Sequence, residues 1–185
     1  SLPETESASA TADPARTALL DALNELLEAG RAGARAAMET GRSITDPELA
    51  ALMEDIHKDE VRWCSMLMRT IKSLGATPSS ATGAFHGKAM AFADLDERLK
   101  FLNRGQAWVT RKLQALIPQV DDARARADLT DMLQAHHQNI SRVEARYTSP
   151  STLEPPTAPQ AEGSPVPTEP GALIGFAGAR VIANT

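Results

Sequence analysis

The chain has 185 residues, of which 42% are hydrophobic and 4% aromatic, and its formal net charge is -5. This length can bury one core and carry a tail besides, and the scarcity of aromatic residues favours helices over strands. Without a basic stripe or a long apolar run, we expect neither nucleic-acid binding nor a membrane span. A single cysteine, Cys64, excludes an internal disulfide framework, and residues 1–12 lack the pattern of a secretory signal, so we expect a cytoplasmic protein.

Four long segments carry helical periodicity, with apolar or small residues at alternating steps of three and four. In the first two segments, Asp13-Pro14 and Asp46-Pro47 each place an N-cap acceptor before a proline at the first helical position. We therefore predict helices that begin near residues 14 and 47. Gly41 and Gly75 mark their ends.

The third segment has its first seam residue at Phe92 and is stopped by Pro118, and the fourth extends to Tyr147. Short connections within each pair of segments predict two antiparallel hairpins. Residues 75–89 join the hairpins and are predicted to form a loop that Phe85 pins to the helices. Extended at about 3.3 Å per residue, this loop reaches about 50 Å, which exceeds the roughly 40 Å length of a helix of about 27 residues. The spacing permits a crossover along the helices without requiring one.

Three polar residues interrupt the hydrophobic seams near mid-helix. These are Glu60 in the second segment, Gln106 in the third and His136 in the fourth, while Gly30 holds the equivalent place in the first. Helical proteins that bind two metals place carboxylates and histidines in such a layer. The layer therefore decides which chemistry this chain supports.

Several motifs resemble the ferritin-like superfamily: residues 23–30 (LNELLEAG), the paired helices and the polar layer. Residues 82–85 (TGAF), Lys88 and residues 101–109 (FLNRGQAWV) resemble more closely an uncharacterised bacterial branch of it. The resemblance covers roughly residues 14–147. It implies an all-α fold, a four-helix ferritin-like bundle over residues 13–147.

In that superfamily, a Glu on each of the first and third helices and a Glu-x-x-His on each of the second and fourth ligate two irons. This sequence departs from the pattern at Gly30 and Gln106, which replace the single glutamates. It departs again where Trp63 follows Glu60 and Asn139 follows His136. The resemblance thus implies the fold together with a degenerate ligand set.

We expect Glu60, Gln106 and His136 to satisfy one another as a polar core layer without a cofactor. The alternative is a single Fe, Zn or Mn held by Glu60 and His136, with Gln106 or water completing the shell. The candidates for side chains that contact the layer from outside are Arg31, Arg104 and Asn139. Either guanidinium can neutralise Glu60 without a metal.

Two other sets of residues invite a functional interpretation. Glu54 and His57 form a literal Glu-x-x-His, but a step of 100° per residue turns Glu54 away from the core and leaves His57 on its edge. We therefore predict that both lie on the surface or at the boundary. Cys64 is predicted to be a small core residue, because no triad-like partner can be read from the sequence.

The composition changes after Tyr147. Residues 148–170 contain seven of the twelve prolines and are predicted to form an extended linker. Residues 171–185 are apolar and rich in small side chains, which favours a docking peptide. Its candidate docking side chains are Leu173, Ile174, Phe176, Arg180, Val181 and Ile182.

Residues 169–182 resemble a segment of the carboxyltransferase β subunit of acetyl-CoA carboxylase. So short a segment cannot build that fold or catalyse, so the resemblance implies at most a protein partner of the acyl-CoA carboxylase type. A generic docking tail and a remnant without function stay open, as does a homo-oligomer. The sequence predicts a non-catalytic binding or regulatory protein, and the alternative is a metal-binding ferritin-like oxidoreductase or metal-handling protein.

Overall fold

The computed structural model describes residues 13–148, and the predictions for the N-terminal segment and the C-terminal tail lie outside this range. Most of the described residues lie in helices, as predicted. The helices are α1 (Pro14–Arg42), α2 (Pro47–Ser73), α3 (Phe85–Met90), α4 (Leu95–Leu116) and α5 (Ala123–Thr148), with a 3-10 turn at Ile117–Gln119. In this part of the chain, no helix is long and apolar enough to span a bilayer.

An aspartate begins each of the four long helices. The Asp13 carboxylate accepts from the amides of residues 15 and 16, and Asp46 accepts from that of residue 48, which confirms the two predicted starts. Asp94 accepts from the amide of Glu97, and Asp122 accepts from that of Ala125. Each carboxylate satisfies amide groups that have no partner within the helix.

The end of α2 is a glycine C-cap. Gly75 has a φ of 82°, a left-handed conformation that glycine adopts without steric cost. Its amide donates to the Lys72 carbonyl, and the amide of Ala76 donates to that of Ile71. This Schellman pattern confirms the predicted stop and turns the chain out of the helix.

The crossover prediction was incomplete in two places. Residues 75–89 were predicted as a loop, but Phe85–Met90 form the short helix α3. The third long helix begins at Leu95 rather than near Phe92, because Asp94 caps it and the Phe92 carbonyl instead accepts from the guanidinium of Arg98 at 2.7 Å and 3.0 Å.

The crossover runs along α1. The guanidinium of Arg16 donates to the Leu74 carbonyl, and further along α1 Asn24 accepts from the amide of Ser79. Near the other end of α1, Glu39 contacts His86 of α3 at 3.0 Å. These contacts carry the chain from one end of α1 to the other, so α2 and α4 run in the same direction.

Side-chain contacts place the remaining helices. The α2–α5 contacts Asp55–Arg142 and Asp59–Asn139 pair residues in opposite order, so the two helices are antiparallel. A buried hydrophobic cluster takes residues from α1, α2, α4 and α5, including Leu27, Leu67, Leu113 and Leu129. The described residues up to Val143 belong to one compact unit, and the last residues of α5 fall outside it.

Candidate functional site

The fold buries the three predicted layer residues, but they do not satisfy one another as expected, because Oε1 of Glu60 and Nε2 of His136 have no hydrogen-bond partner. Glu60 of α2 and Gln106 of α4 are each 6% exposed, His136 of α5 is 2% exposed and Asn139 is 5% exposed. Glu60, Gln106 and His136 stand at seam positions that would otherwise be apolar, since a buried polar group costs free energy unless it is paired. The layer is therefore the chemically distinctive part of the core.

Two glycines of α1 make room for the Glu60 carboxylate. A Cβ atom at Gly33 would lie 3.3 Å from Glu60 Oε2, and one at Gly30 would lie 3.9 Å from Oε1 and 2.9 Å from the Sγ of Cys64. Gly30 was singled out from its seam position, whereas Gly33 was missed. The sequence signal for Gly33 was its position three residues after Gly30, which puts both glycines on one face of α1.

Glu60 and His136 form a buried charge pair. Oε2 of Glu60 lies 3.5 Å from Nε2 of His136, which is a close ionic contact but a long hydrogen bond. Nδ1 of His136 lies 2.9 Å from the Met132 carbonyl. Because a carbonyl only accepts, Nδ1 carries a proton, and any second imidazole proton lies on Nε2, toward the carboxylate.

Burial, the largest cause, acts to lower the pKa of His136. The carboxylate of Glu60, 3.5 Å from Nε2, acts in the opposite direction, with help from the Met132 carbonyl and the charge of Asp59. Together these groups outweigh burial, so the pKa of His136 is raised above its ordinary value of 6.5. Glu60 thus favours the protonated form of the His136 imidazole.

Two polar atoms of the pair have no hydrogen-bond partner. They are Oε1 of Glu60 and Nε2 of His136, and the indole Nε1 of Trp63, one turn from Glu60, also has none. Trp63 is 3% exposed, as expected for a seam residue, and the guanidinium of Arg62 lies 4.3 Å from its ring centroid. A buried atom without a partner indicates a place where water or a ligand would be stabilised.

The predicted neighbours of the layer lie apart from Glu60. Arg31 donates to the carbonyls of Ser79 (2.7 Å) and Ala81 (2.9 Å) and so holds the crossover. Arg104 is exposed, and its guanidinium lies 5.5 Å from the ring centroid of Phe101. Asn139 donates to Asp59 Oδ2 at 2.9 Å, which ties α5 to α2 beside the layer.

The Glu-x-x-His of α2 lies away from the layer, as predicted. Glu54 is exposed and pairs with Lys58, and the half-buried His57 contacts the Ala34 carbonyl through Nδ1 at 2.8 Å. Within residues 13–148, no group of three or more His, Cys, Asp or Glu side chains could hold a metal ion.

Cys64 is buried, as predicted, with its Sγ 3.9 Å from the Leu27 carbonyl. Burial and the charge of Glu60 raise the pKa of the Cys64 thiol to about 11, although Arg31 acts to lower it. Since the thiolate is the nucleophile, this thiol is unreactive at neutral pH.

A cavity of about 510 Å³ reaches the polar layer from the surface of the domain. Glu60 and Gln106 form part of its wall, and apolar side chains form most of the rest: Ala29, Ala37, Met53, Ile56, Phe85, Leu99, Phe101, Leu102, Trp108, Val109 and Val143. The volume lies within the range of about 300–1,000 Å³ typical of ligand pockets. Trp108 lines this cavity and remains 38% exposed.

The charged residues of the cavity wall are largely engaged by protein partners. Glu25 forms an ion pair with Lys112, whose Nζ also lies 5.3 Å from the Trp108 ring centroid. Glu28 accepts from the Ser79 hydroxyl at 2.5 Å. Glu60 differs because one of its oxygens is buried without a hydrogen-bond partner.

A family described as "Domain of unknown function (DUF6306)" matches residues 17–145, which include all four long helices and the polar layer. The chain belongs to the DUF6306 family. No curated protein matches the chain. The cavity and the Glu60–His136 pair therefore lie within the DUF6306 domain, whereas residues 149–185 lie beyond it.

Proposed function

We propose that this protein is a non-catalytic binding protein of ferritin-like, four-helix architecture, and that it takes a small, largely apolar ligand into the cavity that ends at Glu60. The observation that carries the proposal is a cavity of about 510 Å³ with mostly apolar walls and two buried polar residues, Glu60 and Gln106. Apolar walls with a few convergent polar groups are typical of ligand sites.

The ferritin-like part of the proposal is supported by the chain path. Two helical hairpins are joined by a crossover that runs the length of α1 and makes α2 and α4 parallel. Ferritin-like folds also use one long crossover connection in a four-helix bundle. The crossover supplies Phe85 to the cavity wall, so this topology also shapes the proposed site.

A dinuclear iron centre, which the superfamily would imply, does not fit the residues present. Such centres take carboxylates from all four helices. Here α1 presents Gly30 and Gly33 to the layer, α4 presents the amide of Gln106, and Glu60 is the carboxylate that contacts His136. We therefore derive no chemistry through such a centre.

The cavity is tested by filling it. Ala29 lines the cavity from α1, so Ala29→Trp is expected to abolish binding of phenylbutanol, a neutral apolar molecule, as measured by calorimetric titration of the full chain. Ala51→Trp, on an exposed position of α2, is the matched control and is expected to bind as the wild type does. Wild-type protein that takes up no phenylbutanol, or an Ala29→Trp variant that binds it unchanged, would contradict the proposal.

The second candidate is a single-metal protein, and the unpartnered Oε1 of Glu60 and Nε2 of His136 favour it. Carboxylate oxygen and imidazole nitrogen suit Fe, Zn and Mn. Elemental analysis of protein from iron- and zinc-supplemented cultures separates the candidates. Stoichiometric metal that disappears in Glu60→Ala and His136→Ala, yet persists in His137→Ala, would replace the ligand-binding proposal.

A further inference from the structure

We propose that the cavity selects ligands with a protonated amine, which donates to Glu60 while the apolar part of the ligand lies against the cavity walls. This inference rests on the proposed ligand-binding function and names the chemical class of the ligand. A small aliphatic or aromatic amine, with one ammonium group at the end of an apolar body, fits it.

The carboxylate of Glu60 supplies the specificity. Its residue is 6% exposed and forms part of the cavity wall, Oε2 faces His136, and Oε1 has no hydrogen-bond partner. A carboxylate can accept several hydrogen bonds, so a donor at Oε1 leaves the contact with His136 intact. An N–H⁺ donor gives the strongest such bond because both partners are charged.

Other head groups fit this wall less well. A ligand carboxylate beside Glu60 would place two like charges in a poorly solvated space, which is costly. An alcohol can donate to Oε1 but brings no charge. The amide of Gln106, also in the wall, both donates and accepts and so does not favour an anion over a cation.

The shape of the site leaves room for the head group. Gly33 has no side chain, so the α1 backbone lies directly against Glu60. Three other wall residues, Ala29, Ile56 and Val109, carry no charge. The arginines of the wall, Arg104 and Arg111, are both exposed, and Arg104 stacks on Phe101. Among the charged residues of the cavity wall, Glu60 is therefore the buried one.

The test compares three ligands with one apolar body: phenylbutylamine, phenylbutanol and phenylbutanoate. Calorimetric titration of the full chain near neutral pH is expected to show the amine binding about tenfold to a hundredfold more tightly than the alcohol, the range that a charged hydrogen bond gives. The acid is expected to bind more weakly than the alcohol.

Two variants assign the preference to a residue. Glu60→Gln is expected to bring the amine and the alcohol to equal affinity. Glu54→Gln, the same change at an exposed carboxylate of α2 that does not line the cavity, is expected to keep the preference of the wild type.

The outcomes separate this inference from the proposed function. Equal binding of all three ligands to wild-type protein, or tightest binding of the acid, would overturn the amine specificity and leave the ligand-binding function standing. Absence of binding by all three would overturn both. If Glu60→Gln failed to fold, the comparison of the three ligands on wild-type protein would still decide the question.

Discussion

Glu60 and His136 are stable in the core because each reduces the cost of burying the other. An ionised carboxylate alone in this place would be strongly destabilising, and the imidazolium at 3.5 Å offsets that cost. The Met132 carbonyl accepts a hydrogen bond from Nδ1 and so fixes the orientation of the His136 ring. Nε2 therefore faces Glu60.

The raised pKa of His136 predicts a specific pH dependence of stability. A group whose folded pKa lies above its unfolded value stabilises the fold fully below the unfolded value, about 6.5, and that contribution is lost as pH rises through the folded pKa. The free energy of unfolding, measured by urea titration from about pH 6 to about pH 9, is therefore expected to fall more steeply in wild type than in His136→Gln.

His137 supplies the control for this experiment. It follows His136 directly but is exposed, so His137→Gln is expected to keep the pH profile of the wild type. Parallel profiles for wild type and His136→Gln would show that the buried pair contributes nothing to the pH dependence.

Sequence periodicity identified the polar residues of the layer but not the space around them. Glu60, Gln106 and His136 stand out because they replace apolar residues on a helical stripe, which is a property of one helix at a time. The role of Gly33 and the missing partner of Glu60 Oε1 depend on how closely α1 approaches α2. The apolar pattern of a single helix does not contain that information. The cavity has the same origin, since its walls come from several helices.

At the level of elements, the crossover is held by side chains that the sequence did not assign to it. Asn24 and Glu28 would pass for a solvated surface of α1, and Arg31, on the same face, was expected beside Glu60. The structure shows that this face receives residues 79–81. Helix starts were predictable from Asp-Pro pairs, whereas the short α3 was not, because it carries no capping side chain and contains a glycine.

Phe85 fixes α3 to α4 through a gap at Gly105. A Cβ atom at Gly105 would lie 2.6 Å from two ring atoms of Phe85, and the Phe85 ring stacks on Phe101 at 4.9 Å. Gly105 therefore leaves the space that the Phe85 ring occupies. Any larger residue would push the crossover away from the cavity.

Gly105→Ala is accordingly expected to destabilise the fold by about 1–2 kcal/mol, since overpacking outweighs the roughly 1 kcal/mol gain in helix propensity. Urea unfolding measures the loss, and hydrogen exchange over Phe85–Met90 is expected to rise. Gly87→Ala, where a Cβ would meet nothing within 4 Å, is the control and is expected to be neutral or slightly stabilising. Unchanged hydrogen exchange in α3 would refute the interpretation that Gly105 makes room for the Phe85 ring.

At the level of the whole molecule, the C-terminal tail lies outside the family domain and has a prediction of its own. Family membership covers residues 17–145, and the apolar peptide at residues 171–185 lies beyond them. If the tail docks on a partner, Leu173→Asp with Phe176→Asp in the full chain is expected to remove the same partner as ending the chain at Tyr147.

A pull-down followed by mass spectrometry measures this, and loss of an acyl-CoA carboxylase-like enzyme in both variants would identify the expected class of partner. Thr152→Asp with Thr157→Asp, which adds the same two charges within the linker, serves as the control. Identical partners for the full and shortened chains would end the docking hypothesis.

The two tryptophans of this chain stand in opposite surroundings, and both lie near the proposed site. Trp63 is buried one turn from Glu60, while Trp108 is partly exposed on the cavity wall beneath the ammonium of Lys112. Acrylamide should quench the fluorescence of Trp108 selectively, and a ligand in the cavity should shield it. The protein thus carries its own pair of spectroscopic reporters, one for the cavity and one for the buried layer, with no label required.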